Sequence, residues 1–506
     1  MFDCILVANR GEIAVRILRT ARELGVRTVA VHSEIDATAP HVLLADRACC
    51  IGPAGASDSY LCIDKLIDAA RSHGACAVHP GYGFLSENAD FADACIDAGL
   101  TWIGPGPAAI RAMGDKTRAR AIAARAGVAS VPGGAGLASA AELARTAQEL
   151  GLPVLLKAAA GGGGKGMRRI DRLAEVDDAW AAARREAKAA FGDDTMLVEK
   201  LLYPARHVEI QIVADQHGRV CAFAERECSL QRRHQKIIEE SPSTAVDAEL
   251  RERMQEAACA IAREAGYVNA GTLEFLVDQS GAYYFLEMNT RLQVEHPVTE
   301  LVSDLDLVRL QLEIAAGGPL SANGTRSAPR GHAIEARLYA EDPERGFLPT
   351  SGRIAVLEWP RMPGIRVDAG IHEGSAISSY YDPMLAKIIA WAPQREHTRR
   401  RLVSALEDTV VLGVKTNQAF LRDLLEDRTF ACGATFTHTV EEWLREEPPK
   451  HVVIDDAVLL AAALAPPAAS AGAGGTAENR PALGGSPDPY SPWRTVGHWR
   501  GLEPPP

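Results

Sequence analysis

Apolar runs alternate with helical patterns along residues 1–112. The runs CILVAN, RTVAVH and ACAVHP are short and continuously apolar, as buried strands are. The segments EIAVRILRTARELG, YLCIDKLIDAARSHG and ADFADACIDAG repeat apolar residues every three or four positions and end in glycine, which favours helices. Because strands that alternate with helices form parallel sheets covered on both faces, the pattern predicts a doubly wound α/β domain.

The pattern changes after residue 112. GDKTRARAIAARAG predicts a helix, and LPVLLKA, MLVEKLL, HVEIQIVAD and GRVCAFAERE predict successive strands of an antiparallel sheet. Further helices are predicted near 248–265 and 303–316, on either side of a hairpin at 271–290. These elements indicate a second domain over 113–320.

Short strands and the helical segments REHTRRRLVSALEDT and NQAFLRDLLED predict a third, mixed α+β domain over 330–447. Residues 460–506 are rich in Ala, Pro and Gly, which predicts a flexible linker and tail. Trp493 and Trp499 are unusual for such a tail.

Composition narrows the class of protein. Hydrophobic content of 47% and charged content of 24% are ordinary for a soluble globular protein. The 54 basic and 66 acidic residues give a net charge of −12, which disfavours nucleic acid and anionic membranes as partners. A basic flank and long apolar run typical of a signal peptide are missing at the start, and scattered cysteines favour reduced thiols, so a cytoplasmic location is expected.

The segment EMNTRLQVEHPVTE alternates polar and apolar residues. Period two places its polar side chains on one face of an extended strand; they are Glu287, Asn289, Arg291, Gln293 and Glu295. A solvated edge strand is the ordinary interpretation of such alternation. The chemistry of this face favours a site instead.

The predicted hairpin places two carboxylates together. TLEFLVD and AYYFLEMN flank QSG, and a two-residue turn at Ser280 and Gly281 sets Glu274 opposite Glu287. Facing carboxylates repel each other, whereas Mg²⁺ is commonly held by carboxylates and phosphate oxygens. A divalent cation is therefore predicted between them, with Asn289 as a further candidate ligand.

The next polar residues suit an anion and a proton transfer. The fork of Arg291 fits a planar carboxylate or carbonate. Gln293 adds a neutral donor, and Glu295 is a candidate base. The pattern thus predicts metal ligands, an oxyanion clamp and a base in order along one strand.

The glycine-rich loop KAAAGGGGKGM contains G-x-G-x-x-G, but the strand-like MRRID that follows does not fit a dinucleotide fingerprint. Gly166 after Lys165 does not fit a Walker motif either. A flap whose backbone N–H groups close over phosphates, flanked by Lys157 and Lys165, and a plain surface hairpin loop both remain open.

The run RECSLQRRHQKIIEE is basic within an acidic protein. A charge run is usually solvated, which is the expectation for Arg232 and Arg233. Lys236, if buried, could instead neutralise an anionic substrate.

Together these stretches resemble the biotin carboxylase component of biotin-dependent carboxylases, in the ATP-grasp superfamily. The resemblance rests on ILVANRGEIAVRI, HPGYGFLSEN, MGDK, KAAAGGGGKGM, RECSLQRRHQK, TLEFL, EMNTRLQVEHPVTE, GHAIEARLYAEDP, YYDPMLAKIIAW and GVKTNQAFL, in family order over about 1–447. It implies an N-terminal biotin carboxylase domain (1–112), an ATP-grasp domain (113–320) and a biotin carboxylase C-terminal domain (330–447).

The resemblance also implies site residues. The ATP-binding residues would be Lys116, Lys157, Gly163, Gly164, Glu199, Lys200, Leu201, Leu202, His207, His234, Glu274 and Glu287. The bicarbonate site would comprise Lys236, Arg291, Gln293, Val294 through its backbone, and Glu295. Arg337 would bind the ureido oxygen of biotin, and Glu274, Glu287 and Asn289 would hold Mg²⁺ or Mn²⁺. Lys236, Arg291, Glu295 and Arg337 would be catalytic.

The implied reaction starts when Glu295 takes the bicarbonate proton and the anion attacks the γ-phosphate of ATP. Carboxyphosphate then yields CO₂ and phosphate, while Arg337 stabilises the enolate-like oxygen of biotin and the biotin nitrogen captures CO₂. A closed flap is needed because water would hydrolyse carboxyphosphate.

The partners follow from the same resemblance. Biotinyl lysines commonly lie in Met-Lys-Met, and none of the eight methionines here precedes Lys. Biotin is therefore expected on a separate biotin carboxyl carrier protein, with a carboxyltransferase subunit and a homodimer completing the assembly of an acyl-CoA carboxylase. The alternatives are a pyruvate carboxylase-type subunit, another ATP-grasp carboxylate–amine ligase and a non-enzymatic scaffold.

Overall fold

The structure is a computed structural model that describes residues 1–159, 167–320 and 328–446. Its α-helices are α1 (Gly11–Glu23), α2 (Pro40–Leu44), α3 (Ile63–Ser72), α4 (Ala89–Asp97), α5 (Pro107–Gly114), α6 (Lys116–Arg125), α7 (Ala140–Leu150), α8 (Val176–Phe191), α9 (Ala248–Glu264), α10 (His296–Ser303), α11 (Leu307–Ala315), α12 (Arg395–Asp408), α13 (Gln418–Glu426), α14 (Arg428–Ala431) and α15 (Thr439–Glu446).

The strands are β1 (Cys4–Val7), β2 (Arg27–Ser33), β3 (Arg47–Gly52), β4 (Ala77–His79), β5 (Thr101–Trp102), β6 (Gly133–Leu137), β7 (Val154–Ala158), β8 (Arg168–Ile170), β9 (Met196–Lys200), β10 (Ala205–Ala214), β11 (Val220–Arg232), β12 (Gln235–Ser241), β13 (Asn269–Asp278), β14 (Tyr283–Asn289), β15 (His332–Tyr339), β16 (Glu341–Asp342), β17 (Leu348–Pro349), β18 (Gly352–Arg353), β19 (Val356–Glu358), β20 (Ile365–Ala369), β21 (Ala376–Ile377), β22 (Met384–Ala392) and β23 (Val410–Leu412).

The N-terminal region forms the predicted parallel sheet, in the order β3-β2-β1-β4-β5. Successive residues of β1 pack on opposite faces of this sheet. Leu6 joins a core with α3 and α4, whereas Ile5 and Val7 join another with α1. The doubly wound α/β prediction is confirmed.

The predicted antiparallel strands divide between two sheets. LPVLLKA and MLVEKLL lie in a four-stranded sheet, β6-β9-β7-β8, which packs its apolar residues with those of α7 and α8. HVEIQIVAD and GRVCAFAERE lie in an eight-stranded antiparallel sheet of order β14-β13-β10-β11-β12-β15-β22-β20. The α+β character is therefore confirmed, with two sheets in place of the single one expected.

The eight-stranded sheet continues across the predicted boundary at 320–330. β12 pairs with β15 in a register that places Ile238 beside Ala336, and β22 and β20 follow. Strands of the second and third predicted domains are thus hydrogen-bonded neighbours. The pattern of one segment does not show which distant segment it pairs with, so the sequence could not predict this continuity.

Strands β10 and β13 of the eight-stranded sheet have one apolar and one mainly polar face. Val208 and Leu273 on one face pack in a core with α6 and α9. On the other face, Glu209 is the register partner of both Arg226 and Glu274. Period-two alternation therefore places ionisable side chains of several strands side by side.

One local prediction differs from the structure in its boundaries. The helix expected near 303–316 is α11, but it begins only at Leu307, because Asp304 takes a left-handed conformation (φ 55°) and Asp306 caps α11 by accepting from the Arg309 N–H at 2.8 Å.

Among the described residues, no helix combines the length and hydropathy needed to span a membrane.

Candidate active site

The hairpin sets Glu274 opposite Glu287, as predicted, but its turn and its strand register differ from the predicted ones. Its loop has three residues, 279–281, because the Asp278 N–H donates to the Ala282 carbonyl at 2.9 Å. The predicted two-residue turn is therefore wrong. A shift in register between Glu274 and Phe275 adds one residue to β14 and restores the carboxylate pair.

The extended strand expected over 287–295 ends at Asn289. Arg291, Gln293 and Glu295 lie in an irregular segment that leads into α10. Their side chains still converge, since Arg291 Nη1 donates to Gln293 Oε1 at 3.0 Å and Gln293 Nε2 donates to Glu274 Oε1 at 3.2 Å. Hydrogen bonds, and not the strand alternation, hold this group together.

Lys236 lies among three carboxylates. Its Nζ donates to Glu209 at 2.6 Å, to Glu274 at 2.8 Å and to Glu295 at 2.7 Å. Burial opposes the ammonium charge, but these carboxylates outweigh it and raise the pKa of Lys236 well above its ordinary value. The lysine is therefore a fixed cation between the hairpin and the base candidate.

The basic run is only partly solvated. Arg233 is exposed, as expected. The expectation for Arg232 is wrong, because its guanidinium is buried, binds both oxygens of Glu341 at 2.8 and 2.9 Å and lies 4.0 Å from the ring centroid of Phe347. A bidentate pair of this kind compensates the charge of a buried guanidinium.

Glu295 is fully buried between two cations. One oxygen accepts from Lys236 and the other from Arg337 Nη2 at 3.0 Å. Burial would raise the pKa of Glu295, but Lys236 and Arg337 hold it well below its usual range. Arg337 Nε also donates to Glu239 at 2.6 Å, so its guanidinium has a defined orientation.

A cavity of about 410 Å³ adjoins this cluster. The predicted nucleotide residues that line it are Lys116, Lys157, Glu199, Lys200, Leu201, Leu202, His207, His234, Glu274 and Glu287. Gly163 and Gly164 lie outside the described residues, so the predicted flap is not described.

Some charges inside the cavity are already paired. Glu199 accepts from Lys157 and, at 2.7 Å, from Arg120 Nη1. Burial lowers the pKa of Lys116, which lies near Lys157 and Glu287. The cavity wall thus presents basic groups to any polyphosphate that enters.

The facing carboxylates fit a divalent cation. Burial and then Glu274 raise the pKa of Glu287, so the negative charge there lacks full compensation. Glu274 is better compensated, because Lys236 and His207 outweigh burial and lower its pKa. Asn289 turns its amide nitrogen to Glu274 at 2.8 Å and its oxygen to Arg291. Glu287 therefore has less compensating positive charge nearby than Glu274 has.

Several cavity and cluster residues were not predicted. Glu209 could have been found, because it alternates with apolar residues in HVEIQIV. Arg120, Thr437 and His438 line the cavity without any local signal, the last two from a distant part of the chain. Glu87, in HPGYGFLSEN, lies 3.1 Å from Arg291 Nε.

Comparisons with known proteins identify the family of the chain. Residues 1–110 match the family model "Biotin carboxylase, N-terminal domain", and residues 335–442 match "Biotin carboxylase C-terminal domain". Between them, residues 115–323 match "Carbamoyl-phosphate synthase L chain, ATP binding domain".

The chain is 47% identical over 442 residues to the biotin carboxylase of Nostoc sp., covering 87% of this chain and 99% of that one. It is 49% identical over 444 residues to the human mitochondrial propionyl-CoA carboxylase alpha chain, covering 87% of this chain but 61% of the relative.

Among solved structures, it is similar to the biotin carboxylase domain dimer of Hydrogenobacter thermophilus 2-oxoglutarate carboxylase, which is in complex with MgADP, ADP and bicarbonate. The TM-score is 0.84 at 45% identity, covering 88% of this chain and 98% of that one. The fold, the cavity and the near full-length match to a biotin carboxylase lead to one conclusion: this chain belongs to the biotin carboxylase family of ATP-grasp ligases.

Proposed function

We propose that the chain uses ATP and bicarbonate to carboxylate biotin carried by a separate protein, in the first half-reaction of an acyl-CoA carboxylase. One observation carries the proposal: Lys236 bonds at once to Glu274 of the metal pair and to Glu295 of the anion site. The nucleotide cavity and the anion site therefore meet at one cation. Such contact is needed if bicarbonate is to attack a terminal phosphate held in the cavity.

The nucleotide would occupy the cavity with its phosphates toward Lys116 and Lys157. Glu274 and Glu287, with Asn289, would hold Mg²⁺ or Mn²⁺, which neutralises charge on phosphate oxygens. Phosphoryl transfer depends mainly on positioning and on such electrostatic stabilisation. Fixed cations beside the cavity suit this chemistry.

Bicarbonate would bind among Arg291, Lys236 and the backbone N–H of Val294. An ion-paired Glu295 is a weak base while Lys236 and Arg337 both bind it. A bound anion would share these cations, and the proton affinity of Glu295 would rise because its charge is less compensated. Glu295 would then take the bicarbonate proton as the anion attacks.

Arg337 would bind the ureido oxygen of biotin. Its guanidinium is oriented by Glu239 and reaches Glu295, so the biotin and bicarbonate positions would be adjacent. An arginine fixed in this way stabilises negative charge that develops on an oxygen.

The proposals for the carboxyl acceptor and for the partner proteins rest on relatives of this chain. The methylcrotonoyl-CoA and propionyl-CoA carboxylase alpha chains are matched over 62% and 61% of their lengths. We infer an acyl-CoA carboxylase role in the cytoplasm, with a biotin carboxyl carrier protein, a carboxyltransferase subunit and a second copy of this chain as partners. A pyruvate carboxylase-type role is the second candidate, because the chain is similar to a Rhizobium etli pyruvate carboxylase (TM-score 0.85, 39% identity).

The purified protein is expected to cleave ATP in a reaction that requires bicarbonate and divalent cation and that free biotin accelerates. Release of ADP and phosphate is measured with and without bicarbonate and biotin. Biotin is the decisive addition, because other ATP-grasp ligases do not use it. Pure, folded protein that shows no acceleration by biotin would contradict the proposal.

Replacing Arg337 by Lys is expected to remove most of the acceleration by biotin, because a lysine cannot bind Glu239 and Glu295 with one planar group. A loss of about 10²-fold is expected from one oxyanion donor. Arg232→Lys is the matched control, since that buried arginine pairs with Glu341 outside the cluster. Equal effects of the two variants would contradict the assignment of Arg337.

A further inference from the structure

Lys387 lies in β22, directly beside Arg337 in β15 and Asp368 in β20. Its side chain is 0% exposed. A buried ammonium is stable only when it is paired and hydrogen-bonded. Its contacts therefore show what it holds in place.

The Nζ of Lys387 donates to the carbonyl oxygen of Val294 at 2.7 Å. Val294 lies between Gln293, which binds Glu274, and Glu295, which binds Lys236. A charged donor makes a stronger hydrogen bond to a carbonyl than a neutral donor does. Lys387 thus fixes the peptide that joins Val294 to Glu295, directly before the base candidate.

The counter-charges of Lys387 come from distant parts of the chain. Glu12 Oε1 of α1 lies 3.2 Å from its Nζ, and Asp368 Oδ2 lies 3.8 Å away. The Tyr82 hydroxyl donates to Glu12. Burial opposes the charge of Lys387, but Glu12, Glu335 and Asp368 outweigh it and raise its pKa, so it remains protonated.

The loop HPGYGFLSEN therefore reaches the segment 290–295 twice. At the start of the segment, Glu87 accepts from the Thr290 N–H at 3.1 Å and lies 3.1 Å from Arg291 Nε. At the end of the segment, the Tyr82 hydroxyl donates to Glu12. Glu12 pairs with Lys387, and Lys387 donates to the carbonyl oxygen of Val294. The irregular segment has no sheet pairing of its own, so these contacts replace it as the constraint on its shape.

We propose that Lys387 is a positioning residue for bicarbonate, which holds the Val294 peptide in place and is itself held by Glu12. This rests on the proposed function of the segment. The ammonium does not touch the substrate. It sets the backbone N–H of Val294 and the carboxylate of Glu295 at fixed places, and a displacement of about 1 Å there can cost about 10²-fold in rate.

The test uses the double variant Lys387→Met/Glu12→Gln, because Met matches the length of Lys and Gln removes the carboxylate that would be left buried without a partner. The KM for bicarbonate is expected to rise by about 10-fold or more, the range seen when supporting residues of a site are removed. The KM for ATP is expected to stay unchanged. Amide hydrogen exchange in a peptide spanning 290–298 should become faster.

Asp368→Asn is the matched control, since it alters the same buried network without contact to Val294. It should leave the KM for bicarbonate and the exchange of 290–298 as in the wild type. Lys387→Arg, which keeps the charge, should recover part of the loss.

Wild-type values of the KM for bicarbonate and of exchange in the double variant would overturn the proposal. A rise in both KM values together would do the same, because it would indicate a general structural role. If the wild type itself lacked bicarbonate-dependent ATP cleavage, the proposed function would fail, and the exchange measurement would still decide whether Lys387 holds the segment.

Discussion

Glu295→Gln is expected to lower the rate of bicarbonate-dependent ATP cleavage by about 10²–10⁴-fold, the range for loss of a general base. Gln keeps the size of the side chain, and its single amide oxygen can accept from Lys236 or from Arg337 but not from both. It cannot take a proton from bicarbonate. Steady-state release of ADP measures the rate, and fluorescence or calorimetric titration measures nucleotide affinity, which should be close to that of the wild type.

Glu300→Gln is a suitable control for this variant. Glu300 is also buried on the segment that follows the site, and it pairs with Arg16 and Arg366 instead of the cluster. Glu300→Gln should keep the rate while lowering stability. Turnover by Glu295→Gln at the wild-type rate would refute the assigned base.

Arg226→Met is expected to lower the free energy of unfolding by about 3–5 kcal/mol, the range for breaking a buried ion pair. Arg226 is fully buried and binds Glu209, Gln211 at 2.8 Å, and Thr272 and Thr299 at 2.9 Å each. Each partner would lose one donor while remaining out of water. The shift in thermal or urea midpoint measures the loss.

An exposed arginine provides the comparison. Arg309 forms an i,i+4 pair with Glu313 on α11, and Arg309→Met should leave the unfolding midpoint close to that of the wild type, because an exposed ion pair contributes little to stability. Adding Glu209→Gln to Arg226→Met should recover part of the loss, since it removes a buried charge. Similar midpoints for Arg226→Met and Arg309→Met would show that the buried network contributes little.

Much of the candidate site could be predicted because short-range patterns place its residues. Residues 274 and 287 belong to one hairpin, and their pairing depends on a local turn and a bulge. Nothing in the sequence indicated the bulge. The predicted turn was one residue too short and the bulge adds one residue to β14, so the two differences cancel and the predicted pairing of Glu274 with Glu287 is correct. The end of the strand at Asn289 was also missed, because alternation continues in the sequence after the sheet pairing has ended.

Contacts between residues far apart in the sequence could not be predicted from local sequence patterns. Arg337 was predicted only from the resemblance to biotin carboxylases. Nothing near it in the sequence indicates that its side chain contacts Glu295. In the sequence, Lys387 is a single polar residue within an otherwise apolar strand. Its bond to Val294 exists because β15 and β22 extend the sheet that carries Lys236.

The sequence by itself determined most of the helices and strands and the carboxylate pair of the hairpin, since these depend on residues close along the chain. Only the tertiary structure decided which strands became neighbours. That pairing places Lys236 and Arg337 on either side of Glu295. The tertiary structure also brings the N-terminal loop with Glu87 to Arg291. Pairing between distant segments depends on the packing of the whole chain, because many segments share the same alternation and could each have paired with another.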